Sequence, residues 1–119
     1  MIGLRAFEES EAKMLEKINF PNLIVLQTTA NVSIPPETDV VTVDATAGPR
    51  TVTLPSPSVR SGSGGPSPLG EIRILKTDGS ANVVTISTQD GAIVGKTSLS
   101  SQNASATCVP SGTGQWFIF

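Results

Sequence analysis

Histidine and tyrosine are absent from the 119-residue chain, and cysteine occurs once, at Cys108. The commonest general base, the commonest metal ligand and the usual phenolic acid are therefore missing, so neither an enzyme nor a bound cofactor or metal is expected. A single cysteine cannot close a disulfide within its own chain; flanked by Ala106, Thr107 and Val109, it is expected to be a buried thiol on a strand. Charge is scarce too, at 15% of residues and a net -2. No basic field is present for a polyanion to follow, which argues against nucleic acid as a partner. No apolar run approaches the roughly 18 residues of a membrane span. Glu8, Glu9 and Glu11 stand where a secretory signal would be basic and then apolar, so neither a membrane nor export is expected.

Serine and threonine together number 27, beside 11 glycines and 9 prolines, a profile of strands and turns. The expected fold is mainly β: a small antiparallel β-sandwich or barrel-like module of about eight short strands with an N-terminal α-helix. Residues 1–20 form the helical arm and residues 21–119 the β-module, with a flexible Pro/Ser/Gly-rich loop at 55–69. In the arm, Leu4, Phe7, Met14, Leu15 and Ile18 fall close to one face at a 3.6-residue period, Glu9 and Lys13 form an i,i+4 pair, and Pro21 stops the pattern. A helix from about Leu4 to Lys17 is marginal alone, and its five apolar side chains need a covering surface. Those five are the expected partner-docking residues.

Beyond Pro21, strands are expected at Leu23 to Gln27, Thr38 to Asp44, Arg50 to Leu54, Glu71 to Thr77, Asn82 to Thr88, Ala92 to Thr97, Ala104 to Val109 and Gln115 to Phe119. Ala47-Gly48-Pro49, Asp78-Gly79 and Asp90-Gly91 join successive strands, and the chemistry of these turns predicts a meander of hairpins. Asp44, Asp78 and Asp90 lack the ligand spacing of a calcium loop and are read as turn formers. Glu37 and Asp39 share a strand face, the nearest approach to a pair of catalytic carboxylates in the β-module. Gly62, Gly64 and Gly65 have neither the Lys-Ser/Thr pair nor the strand-to-helix setting of a phosphate cradle, so an exposed loop is expected there, with Arg60 as its contact residue. The final strand is apolar on both faces, Trp116 and Ile118 on one and Phe117 and Phe119 on the other, and it holds three of the five aromatic residues. A strand covered on both sides needs a second sheet or a neighbouring subunit, so these four are the expected oligomer interface.

The runs VTVDATAGPRTVTLP (Val41 to Pro55), IRILKTDGSANVVTIS (Ile72 to Ser87), GAIVG (Gly91 to Gly95) and GQWFIF (Gly114 to Phe119) together resemble a β-module of tailed-bacteriophage virion proteins. That module occurs in capsid decoration and head-fibre proteins and in tail-fibre or receptor-binding segments. The resemblance covers the chain from about Thr38 onward; the Pro55 to Leu69 insert and Phe117 depart from the usual pattern. It implies a homotrimer without an active site. With a starting Met and no shaft, the chain is expected to be a decoration, or cement, protein that binds the major capsid protein and stabilises the shell. It would be made in the host cytoplasm and located on the virion surface. The alternative is a short tail or baseplate adaptor or receptor-binding tip, for which a host glycan is a partner.

Overall fold

The computed structural model describes residues 23–60 and 70–119. Among them are ten strands: β1 (Val25–Thr28), β2 (Val32–Ser33), β3 (Val40–Val43), β4 (Arg50–Leu54), β5 (Ile72–Lys76), β6 (Val84–Thr88), β7 (Ala92–Gly95), β8 (Ser98–Leu99), β9 (Ser105–Pro110) and β10 (Gln115–Ile118). One helical turn, α1 (Pro57–Arg60), follows β4. The protein is mainly β. Each expected strand overlaps one of these, β1 and β9 each running one residue past the expected end, and only the two-residue strands β2 and β8 were not expected. The expected N-terminal helix lies outside the described residues.

How the strands pair differs from expectation. A six-stranded sheet runs β1-β3-β5-β9-β10-β7 and a four-stranded sheet runs β2-β4-β6-β8. For its first six strands the chain crosses from one sheet to the other at every turn. Each new strand is laid parallel to the one two before it: β1 with β3, β3 with β5, β2 with β4 and β4 with β6. The chain is thus wound in three stacked coils, each giving one strand to each sheet. Ala47-Gly48-Pro49 and Asp78-Gly79 are corners between sheets, as is Asp90-Gly91, and the antiparallel meander is corrected to two mixed sheets. The physical reason is that a hairpin and a corner demand the same turn residues; they differ in whether the flanking strands meet edge to edge or face to face. Among consecutive strands, β9 and β10 do form a hairpin.

The alternation in each strand decides what lies between the sheets. Val41, Val43, Ile72, Ile74, Ala106, Cys108, Trp116 and Ile118 point inward from the six-stranded sheet, and Val52, Leu54, Val84, Ile86 and Leu99 from the four-stranded one; together they make a single core. Trp116 is fully buried, and its indole N–H donates to the Pro55 carbonyl at 2.9 Å. Cys108 is buried as expected, and burial pushes its thiol up to about 12. In native protein the thiol should not react with Ellman's reagent at pH 8, and it should react fully in denaturant; rapid labelling without denaturant would contradict this burial.

Both ends of the parallel strands are closed by a buried ion pair. At the C-terminal end of β5, the inward alternation of Ile72 and Ile74 continues to Lys76, which is wholly buried. Its three ammonium donors are all used, on Asp78 Oδ2 at 2.9 Å, the Asp78 carbonyl at 3.0 Å and the Ser80 carbonyl at 2.9 Å. Asp78 also accepts from the Ala45 N–H, the Ser80 N–H and the Ser80 hydroxyl, which ties the β3–β4 corner to the β5–β6 corner. At the opposite end, Arg60 Nη2 meets Asp39 Oδ1 at 3.1 Å, and the guanidinium donates to the carbonyls of Pro36, Gly70 and Glu71. Gly70 has φ +69°, and a Cβ there would collide with the Arg60 carbonyl oxygen, so this close approach requires glycine.

Candidate interaction surface

The inward residues are consumed by the core, so what the two described sheets offer a partner lies on their outer faces and edges. The two faces differ. On the four-stranded sheet the register sets Thr51 beside Thr85 and Thr85 beside Ser98, with Ser33, Thr53 and Ser87 in the next row. Asn31 caps the first row by accepting from the Thr51 N–H at 2.9 Å. This is the polar exterior of a sheet with one wet face. An open depression of about 330 Å³ lies there, lined by Asn31, Val32, Ser33, Thr51 and Thr53.

The six-stranded sheet breaks that rule. Phe117 pairs with Val94 on one side and Val109 on the other, giving an outward apolar row across β7, β10 and β9. Phe119 exchanges backbone hydrogen bonds with Thr107, which starts a second row through Arg73 and Val40 to Val25. Leu75 lies in a third, beside Thr42 and Ser105. Phe119 is 72% exposed, Val94 45% and Val25 41%, while Val40, Leu75, Val109 and Phe117 are half-buried. The charges on this face are already engaged within the chain: Arg73 binds Glu71 at 2.8 Å, and the Lys96 ammonium donates to the Ser105 carbonyl at 2.8 Å.

The four expected interface residues are divided by the pleat. Phe117 and Phe119 face outward, whereas Trp116 and Ile118 belong to the core and are unavailable to a partner. Arg60 is corrected from an exposed loop contact to a buried structural cation, 3% exposed, because α1 seats it against Asp39 and three carbonyls. Pro55 and Pro57 are buried as well, so the first residues of the expected flexible stretch are part of the fold. Leu4, Phe7, Met14, Leu15 and Ile18 lie outside the described residues. Val94 and Val109 were missed by sequence reasoning; the signal for them was the outward position of a valine directly across from Phe117.

The acidic residues do turn and end-closing work. Asp44 accepts from the Thr46 hydroxyl and N–H, which hold its carboxyl below its ordinary range. The Ser80 hydroxyl, followed by the Ala45 N–H and the Lys76 ammonium, holds Asp78 far below its ordinary 3.8 against the opposing effect of burial. Asp39 is taken up by Arg60 and by the Ile24 N–H, so it forms no free carboxylate pair with Glu37. Among the described residues, no group of three or more His, Cys, Asp or Glu side chains could hold a metal ion, and no helix is long and apolar enough to cross a membrane. No protein-family model, curated protein or solved structure matches the chain.

Proposed function

We propose that this protein is a structural component of a tailed-bacteriophage virion, a decoration protein that binds the assembled head as a homotrimer and stabilises the shell. The observation that carries this reading is the contrast between the outer faces: one wet and hydroxyl-lined, the other apolar across β7, β10 and β9. In this reading the apolar face is completed by contacts with other subunits. In this reading residues 1–20 form the helical arm, and Leu4, Phe7, Met14, Leu15 and Ile18 dock on the major capsid protein. Binding only the assembled lattice stabilises it by mass action, and three arms on one trimer make individually weak contacts additive.

Co-sedimentation with purified heads tests the proposal. The full chain is expected to pellet saturably at hundreds of copies per head. A variant carrying Phe7→Asp and Leu15→Asp is expected to stay in the supernatant while keeping the native far-UV spectrum. Failure of the unmodified chain to pellet with any head would refute the proposal. A dozen or fewer copies at the tail would instead favour the adaptor or receptor-binding reading, whose glycan-sized candidate is the depression over Asn31, Ser33 and Thr53.

A further inference from the structure

We infer that the Asp90-Gly91 corner between β6 and β7 is a site of spontaneous backbone isomerisation, at which Asp90 converts to isoaspartate, whereas the fold locks Asp78-Gly79 against the same reaction. The chemistry needs only the chain and water. The Gly91 backbone nitrogen attacks Cγ of Asp90 and gives up its proton, and a carboxyl oxygen leaves as water, closing a five-membered succinimide. Water then opens the ring at either carbonyl. Opening at the former main-chain carbonyl leaves the main chain running through Cγ, one methylene longer, with the old main-chain carbonyl carbon now a free carboxylate.

The two carboxyl groups are held differently. Asp78 is 9% exposed; its Oδ1 accepts from the Ala45 N–H at 2.7 Å, and its Oδ2 accepts from the Lys76 ammonium at 2.9 Å and the Ser80 N–H at 3.0 Å. These donors fix Cγ in place and favour the ionised form, from which no oxygen can depart as water. Asp90 is exposed, and among the described residues its carboxyl takes part in no hydrogen bond and no ion pair. The nucleophile at residue 91 is also prepared. The Thr88 hydroxyl donates to the Asp90 carbonyl at 2.7 Å. That carbonyl shares its peptide resonance with the Gly91 nitrogen, so the hydrogen bond eases loss of the Gly91 proton. Among the described residues the Gly91 N–H has no backbone acceptor. Nor can the corner shield it with a larger residue: Gly91 has φ +79°, and a Cβ there would collide with the Gly114 carbonyl oxygen. The added methylene would fall in this same tight place. Ala92 N–H donates to the Gly114 carbonyl at 3.2 Å, and β7 is an edge strand paired only with β10, so conversion is expected to loosen β7 first.

The test follows full-length protein held warm near neutral pH over weeks. Trypsin releases residues 77–96 as one peptide carrying both Asp-Gly pairs, and electron-transfer fragmentation locates isoaspartate within it. In native protein residue 90 is expected to convert at least about 10-fold faster than residue 78; in guanidinium chloride the two should convert at similar rates. Asp90→Glu, whose longer side chain closes a ring far more slowly, should abolish the signal at residue 90 with an unchanged urea midpoint. Thr88→Val should slow it about 2- to 10-fold, the rate equivalent of one hydrogen bond, while keeping the native far-UV spectrum. Hydrogen exchange over residues 92–95 should be faster in the converted fraction than in fresh protein. Native residue 90 converting no faster than residue 78 overturns the inference. So does a 10-fold difference that persists in denaturant, since local sequence and not the fold would then set the rates. An unchanged rate in Thr88→Val overturns the role given to its hydroxyl, and unchanged exchange overturns the loosening of β7.

Discussion

Replacing Trp116 with alanine is expected to lower stability by about 3–5 kcal/mol, the usual cost of truncating a buried aromatic side chain in a core. Trp116 has no exposed surface, sits on the inward face of β10, one strand in from the edge of the six-stranded sheet, and ties β10 to the segment leaving β4 through the Pro55 carbonyl. Two losses are therefore superimposed, a cavity and an orphaned acceptor. Trp116→Phe keeps a six-membered ring in the core, so it opens a smaller cavity than alanine while stranding the same carbonyl, and a cost of about 1–3 kcal/mol is expected. Urea denaturation followed by far-UV circular dichroism measures both, with a falling midpoint at constant slope for each variant. Equal costs for the two substitutions would show that the hydrogen bond, and not the packing, dominates.

Lys76→Ala is expected to be of the same size, about 3–5 kcal/mol, for a different reason. The side chain is wholly buried, and its ammonium satisfies one carboxylate oxygen and two carbonyls. Lys76→Met, which fills the volume without the charge, should recover part of that loss, because Asp78 keeps the Ala45 and Ser80 donors. Asp78→Leu should be worse than Lys76→Met, since it leaves the ammonium buried without its anion. The same group sets an acid limit. The native Asp78 carboxyl is held well below its ordinary 3.8, so on acidification the unfolded chain takes up this proton first. Its contribution is complete above about pH 5 and is lost as the pH falls below 4. Between pH 5 and 2 the unmodified protein should lose stability more steeply than Asp78→Asn, as urea midpoints at each pH would show; parallel curves would remove Asp78 from the account.

Much of this architecture was legible because a half-buried strand writes a period of two. Val41 and Val43, Val52 and Leu54, Ile72 and Ile74, and Val84 and Ile86 all mark inward faces that the structure bears out. Lys76 was legible by the same rule, as the next inward position after Ile74. What the period does not encode is the partner strand. The segments VTVDATAGPRTVTL and IRILKTDGSANVVTI share one pattern of strand, polar corner and strand, and this repetition signals stacking: like segments lie parallel on one another, Val41 beside Ile74 and Val52 beside Ile86. A single hairpin reading hides that relation. Arg60 was illegible for a further reason. Its partners, Pro36, Asp39, Gly70 and Glu71, are 10 to 24 residues away, and nothing local in a Pro/Ser/Gly-rich stretch announces them.

The outer surface was legible in half. Apolar residues on both sides of the last strand raise the expectation of a covering on each; the pleat assigns Trp116 and Ile118 to the protein's own interior and leaves Phe117 half-buried and Phe119 exposed on the outer face. Val94 and Val109 join them only once β7 and β9 are seen to flank β10.

The most direct measurement is the mass of the purified full-length protein in solution by light scattering across a wide concentration range. Three times the mass of one chain, persisting on dilution, is the predicted result. A single-chain mass that never rises, even at the highest concentration, would mean that the apolar face of the six-stranded sheet needs no neighbour, and the account of this protein as an assembling subunit would be wrong.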